Sequence, residues 1–220
     1  SGQAPGHRFF IGAAYTKDYF GWGGTTVSAF WESRTIGNAS YTFAADMNGD
    51  NGNNDLIYVA RDQSEMNFTS FSSGGRTFSP AEQAAAWDAY IKQDKYLSTR
   101  RGQYAERGAL WLPMVHRLDF AVAQNAFVNL FGKRNAFQFR VDIDNFTNLL
   151  NSDWGAGQRT VAIFGQVLTN PTTDSQGRSA YRLRTVTTAN GTELIKNTFE
   201  QTAGIPDVYR VMFSLRYTFN

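Results

Sequence analysis

The chain is 220 residues long, with 42% hydrophobic, 18% charged and 15% aromatic residues, which excludes a disordered or low-complexity segment. It contains no cysteine, so a disulfide-stapled domain and a Cys-ligated zinc site are both excluded, while the redox compartment stays open. Its 21 Lys and Arg are balanced by 19 Asp and Glu, without the basic excess of a nucleic-acid binder, and no nucleic-acid partner is expected.

From the N-terminus, a first strand is predicted over about 7–20. Phe9, Ile11, Ala13 and Tyr15 alternate with Arg8, Phe10, Gly12 and Thr16. A tight turn, Phe20-Gly21-Trp22-Gly23-Gly24, leads to a second strand over about 25–45, where Val27, Ala29 and Trp31 oppose Thr26, Ser28 and Glu32. A long connection, 46–112, follows. Inside it Ser79, Pro80 and Glu82 have the N-cap, N1 and N3 residue types of a helix start. Ala84, Trp87, Tyr90 and Ile91 then recur at helical spacing, which predicts an amphipathic helix over about 80–95, packed on its own loop or on a barrel mouth.

The third strand, about 113–130, sets Leu118, Phe120 and Val122 against Arg117, Asp119 and Ala121. Phe131-Gly132-Lys133-Arg134 is again a tight turn. The fourth strand, about 135–152, sets Phe137, Phe139, Val141 and Ile143 against Gln138, Arg140, Asp142 and Asp144. A second long connection, 153–206, carries two extended stretches, 160–168 and 181–196, the latter broken by Asn190-Gly191, and projecting hairpins are predicted there. The last strand, about 207–219, alternates most strictly. Tyr209, Val211, Phe213, Leu215, Tyr217 and Phe219 oppose Val208, Arg210, Met212, Ser214, Arg216 and Thr218.

The fold class expected is all-β. Tight turns and long connections alternate, so all short turns fall at one end of the sheet and all long loops at the other, an arrangement of outer-membrane barrels. The longest apolar runs span only a few residues, which excludes a helical membrane span and not a barrel, whose lipid-facing residues alternate with lumenal ones. The chain begins at Ser1 without an initiator Met and is read as mature, trimmed or part of something longer.

Two constellations invite chemistry. In the segment 46–55, Asp46, Asn48, Asp50 and Asp55 offer oxygen ligands at near-alternate positions around a Gly turn, as a Ca2+ site requires. The match to a calcium loop is partial: Gly52 sits one place late and Ile57 stands where a bidentate Glu belongs, so an Asx loop capping its own backbone is the competing reading. Asp142 and Asp144 share one face of a strand and resemble a glycosidase pair. Interleaved Arg117, Asp119, Arg140, Arg210 and Arg216 favour instead a cross-strand ion-pair lattice on a lumen face. His7 and His116 belong to no nucleophile or metal motif, and no catalytic residue is expected.

The segment 137–155, FQFRVDIDNFTNLLNSDWG, resembles the penultimate strand of TonB-dependent outer-membrane receptors, with the run Asn145-Phe146-Thr147-Asn148-Leu149-Leu150-Asn151 matching their "NLFN"-like motif. DMNGDNGNNDLIYVA, YLSTRRGQYAERG and RLDFAVAQ resemble the Oar-like branch, and the terminal YRVMFSLRYTFN resembles a barrel-assembly signal, although Asn220 follows Phe219 and Gly108 stands where the branch often has Asn. The resemblance implies the last five strands of a barrel of about 22, with extracellular loops 46–112 and 153–206 and the plug domain absent from this chain. It further implies energised uptake of an unknown ligand across the outer membrane. The partners implied are the remaining strands and plug, the TonB complex, the barrel-assembly machinery, and lipid or lipopolysaccharide around Tyr209, Val211, Phe213, Leu215, Tyr217 and Phe219. The alternative reading is a soluble, secreted β-sandwich binding module, a calcium-dependent carbohydrate binder using 46–55.

Overall fold

The computed structural model describes residues 6–19, 21–130 and 132–219, and the chain falls into two compact units, one of 6–36, 113–158 and 201–219 and one of 37–112 and 159–200. Phe20, Phe131 and Asn220, named above, lie outside the described residues. Among the described residues the protein is all-β apart from two α-helices and short 3-10 turns. Among the described residues no helix is long and apolar enough to cross a membrane.

The first unit is a five-stranded antiparallel sheet in which spatial order equals chain order: β1 (Arg8–Tyr19), β2 (Gly23–Thr35), β3 (Met114–Leu130), β4 (Lys133–Asp144) and β5 (Arg210–Phe219). The strands run from 10 to 17 residues, longer than the ordinary strand of about 5–6. Directly opposed residues share a face, so the register sorts the side chains. One row across all five strands reads Tyr15, Val27, Val122, Val141 and Phe213. Its neighbour on the other face reads Thr16, Thr26, Ala123, Arg140 and Ser214. The period-two pattern of each strand thus adds up to one mostly apolar face, interrupted by Lys17, Thr25 and Gln124 in the row that ends in Phe139 and Leu215, and one mostly polar face lined with small residues that also carries Phe10 and Phe30.

Several strand ends differ from the sequence reading. The second strand stops at Thr35 instead of reaching 45, and Asn38–Ala39 pairs with Leu110–Trp111 in the other unit. The fourth stops at Asp144 instead of 152, because Asn145 takes a left-handed conformation at φ 53° and starts a short helix, α2 (Phe146–Leu150). The fifth begins at Arg210, since Ile205–Asp207 form a 3-10 turn before it.

The second unit, made of residues from both long connections, has its own hydrophobic core. Tyr41, Ile57, Val59, Phe78, Trp87, Tyr90, Ile91, Leu97, Leu168, Leu183 and Ile195 are almost fully buried in it. Burying each such side chain contributes roughly 1.5–3 kcal/mol, enough to hold these connections as a folded body rather than as separate loops. Its α-helix, α1 (Pro80–Gln93), is capped by Ser79, whose Oγ accepts the Glu82 N–H at 3.2 Å. It ends two residues earlier than the periodicity predicts, because Asp94 turns extended and accepts the N–H groups of Tyr96 and Leu97 at 2.9 and 2.8 Å. Its buried face carries Ala84, Trp87, Tyr90 and Ile91, and also Gln83. The Gln83 amide donates to the carbonyls of Thr69, Phe78 and Ser79 and accepts the Leu183 N–H. In the second connection the hairpin Thr185–Thr188/Gly191–Leu194 has Ala189-Asn190 as its two-residue loop, one place earlier than the Asn-Gly signal suggested.

Candidate functional site

The apolar face of the sheet is exposed. Phe9, Ile11, Tyr15, Trp31, Phe137, Phe139, Phe213, Leu215, Tyr217 and Phe219 are all exposed on it, Leu215 and Phe219 at 77%. Aromatic neighbours pair along it, Phe137 with Tyr217 at 4.7 Å and Phe139 with Phe213 at 6.2 Å between ring centres. Tyr209 and Val211 continue the same stripe, at 44% and 42% exposure. Even half-burial of these ten side chains is worth on the order of 10 kcal/mol, comparable to the whole stability of an ordinary domain. Several of the polar residues on this face satisfy one another. Tyr217 donates its hydroxyl to Asn135 Oδ1 at 2.6 Å, and Tyr19 donates to Thr25 Oγ1, which donates to Gln124 Oε1. Strands β1 and β5 are the two edges of the sheet, each hydrogen-bonded on one side only among the described residues.

On the opposite face the structure brings some of the sequence-predicted charges together and diverts others. Asp144 pairs with Arg210 across strands at 2.9 Å, and Arg8 pairs with Glu32 at 2.5 Å. Arg140 grips both oxygens of Asp142 along its own strand, Nε lying 2.9 Å from each. Both carboxylates of the supposed glycosidase pair are therefore held by arginines. Arg216 lies opposite Gln138 and has no ionic partner among the described residues.

Arg117 and Asp119 serve another purpose. Arg117 donates to the Gly155 carbonyl at 2.9 Å and reaches Asp207 at 3.3 Å. Asp119 accepts the backbone N–H of Asn145 at 2.8 Å. Buried Asn145 also donates to the carbonyls of Gly155 and Asp207, both at 3.3 Å. Asn148 donates to the carbonyls of Ser152 and Trp154 and accepts the Tyr209 N–H at 3.1 Å. Burial works to raise the Asp207 carboxyl, but the N–H groups of Gly157 and Gly204, the Thr202 hydroxyl and the Arg117 charge outweigh it and hold the group below its ordinary value. The motif at 145–151 is thus a latch: it fixes where the chain leaves β4 and where it re-enters as β5. Gly155, at φ 69°, belongs to it, since a Cβ there would meet Asn145 Oδ1 at 1.9 Å.

The segment 46–55 is occupied with its own backbone. Asp46 accepts the N–H groups of Gly49 and Asn51 at 2.7 and 2.8 Å, Asp55 those of Met47 and Asn48, and Asp50 that of Gly52. Desolvation raises the Asp46 carboxyl, and the amides of Asn51, Gly49, Asp50 and Asn48 together outweigh it, leaving it below its ordinary value. Asn48 Oδ1 accepts the Asp50 N–H at 2.9 Å. This is the Asx-loop geometry, and among the described residues no group of three or more His, Cys, Asp and Glu side chains stands close enough to hold a metal ion.

The same segment forms one wall of a cleft of about 990 Å3 within the second unit. Sequence reasoning did not find this cleft, because its other walls come from Tyr58–Asn67, from Tyr104 and Arg107 and from Arg178–Tyr181, segments far apart in the chain. The signal was partial: Tyr58 and Tyr104 both lie in stretches that carry the family resemblance, and they meet edge to face at 5.5 Å. Elsewhere in this unit Asp94 accepts the hydroxyls of Tyr41 and Thr198, the latter at 2.6 Å. Burial pushes the Tyr41 hydroxyl far above its usual range, so it stays a donor and the cluster is structural.

No protein-family model, curated protein or solved structure matches the chain.

Proposed function

We propose that the five-stranded sheet is a sector of a transmembrane β-barrel in a bacterial outer membrane, and that the chain belongs to a TonB-dependent receptor of the Oar-like branch that takes up a ligand at the expense of inner-membrane energy. The observation that carries this reading is the mostly apolar face, exposed across five long strands whose two edges are unpaired among the described residues. A water-exposed sheet of this kind is an aggregation template, whereas in lipid the same face is buried and the edges pair with further strands of a closed barrel. Dimensions support it: the ten residues of β5, Arg210–Phe219, make nine steps of roughly 3.4 Å, about 31 Å, which at a tilt of about 40° project to about 23 Å, close to the apolar band of about 25 Å of such barrels.

In this account Tyr209, Val211, Phe213, Leu215, Tyr217 and Phe219 face lipid and lipopolysaccharide and present β5 to the barrel-assembly machinery. Arg140, Asp142, Asp144, Arg210 and Arg216 face the lumen, toward the plug. The second unit, threaded into the chain between β2 and β3 and between α2 and β5, supplies the ligand-facing surface; no catalysis and no resident metal are assigned. The test is fractionation of the protein from its native membrane. Extraction only by detergent, with a compact band on gels that shifts on boiling, is the expected result; a protein recovered without detergent as a monomer overturns the barrel reading.

A further inference from the structure

We propose that the cleft of the second unit binds the C-terminal end of a short peptide, holding the terminal carboxylate at Arg107 and an apolar side chain on its floor. The proposal rests on the receptor reading only for the ligand's being cargo; the binding chemistry belongs to the cleft itself. Its volume, about 990 Å3, lies at the upper end of small-ligand pockets, room for several residues rather than for one amino acid. The floor is apolar: Tyr181 is buried edge-on against Phe68 at 4.9 Å and tilted against Phe43 at 5.8 Å. Met47 and Met66, whose thioethers adapt to side chains of different shape, border it.

The charges around this floor decide what else the cleft takes. Three carboxylates line it, and all are engaged: Asp50 and Asp55 accept backbone N–H groups, and Glu65 accepts the Tyr58 hydroxyl and the Arg61 N–H and pairs with the Arg61 guanidinium. Arg178 is paired with Asp174 at 2.9 Å. Arg107 has no ion pair or hydrogen bond among the described residues, and it is exposed. Among the described residues it is the one uncommitted charge of the cleft, and its planar fork suits a carboxylate. The Asn54 amide is likewise uncommitted, offering one donor group and one acceptor, the complement of a peptide bond. Tyr104, 67% exposed, adds an open ring for an apolar or aromatic side chain.

The experiment immobilises the full chain in detergent micelles and exposes it to two mixtures of random hexapeptides, one with free C-terminal carboxylates and one C-terminally amidated, with a mixture of linear oligosaccharides as a third arm. Retained species are quantified by mass spectrometry. The free-carboxylate mixture should be retained at least about tenfold over the amidated one, as expected for a charge-assisted bond. Arg107→Gln should remove that preference, and Tyr104→Ala should lower retention of both mixtures. Equal retention of the two mixtures, no retention of either, oligosaccharide retention in their place, or retention unchanged by either substitution overturns the proposal. Gel mobility of the same preparation separates the two claims: a detergent-dependent, heat-modifiable protein that retains no peptide overturns this inference alone, and a detergent-independent one that retains peptide overturns the barrel alone.

Discussion

The backbone N–H of Asn145 donates to Asp119 Oδ1 at 2.8 Å, where β4 ends and the chain turns away in a left-handed conformation at φ 53°. A carboxylate on one strand thereby fixes the exit of the next. Asp119→Ala leaves that N–H unpaired and should cost about 1–3 kcal/mol, while Asp119→Asn, which keeps an acceptor oxygen, should cost less. The temperature at which the compact gel form is lost on heating measures both; equal effects of the two variants would remove Asp119 from the latch.

Gly155 tests the same latch from the other side. A Cβ at this position collides with the Asn145 amide and is strained at φ 69°. Gly155→Ala should destabilise by about 2 kcal/mol or more, whereas Gly132→Ala, also at positive φ but with nothing within 4 Å, should show only the backbone strain of about 1 kcal/mol. The difference in heat-induced loss of the compact form between the two variants is the readout.

The long strands were legible because alternation over ten or more residues has no other simple interpretation, as 209–219 shows. Their ends were not. Nothing local distinguishes Thr35 from a residue that continues a strand, and the stop at Asp144 depends on the left-handed Asn145 and on partners, Asp119, Gly155 and Asp207, that lie far off in sequence. The cap at Ser79 was readable for the same local reason that strands are: its signal fits within four residues. The shared core of the two long connections was not, since Leu183 reaches Gln83 across a hundred residues. The Asp46–Asp55 segment shows the ambiguity of composition, as the residue types that bind calcium are also those that cap their own turns.

Asp174 gives the second unit a pH dependence. The N–H of Arg178 is the largest of the contacts that lower its carboxyl from an ordinary 3.8 to about 2, with the Gln176 N–H, the Arg178 guanidinium and the Asn67 amide adding to it. A carboxyl depressed in the folded state contributes stability that is present above its unfolded value and is lost as the pH falls through its folded value. Amide-exchange protection of the turn 174–178 should therefore be full at pH 5 and fall between about pH 4 and pH 2. Asp174→Asn should flatten that dependence; a wild-type turn equally protected at pH 2 and pH 5 contradicts the assignment.

The two faces of β5 should respond oppositely to charge. Leu215, exposed on the apolar face near the middle of the stripe, should not tolerate arginine: Leu215→Arg is expected to cost about 2–4 kcal/mol for folding into lipid vesicles. Met212→Arg, on the other face and opposite Asp142, should be near neutral. In a water-exposed sheet the first substitution would improve solubility at little cost, so a stable and more soluble Leu215→Arg protein contradicts the lipid assignment.

The most direct measurement uses the absence of cysteine from the chain. Single cysteines placed in turn at Met212, Phe213, Ser214 and Leu215 and labelled with an environment-sensitive fluorophore report the surroundings of each face of β5 in reconstituted membranes. A period of two is predicted, with positions 213 and 215 quenched by spin-labelled lipid tails and positions 212 and 214 by a water-soluble quencher. Quenching of all four positions by the aqueous agent alone would contradict the central claim that this face of the sheet lies in lipid.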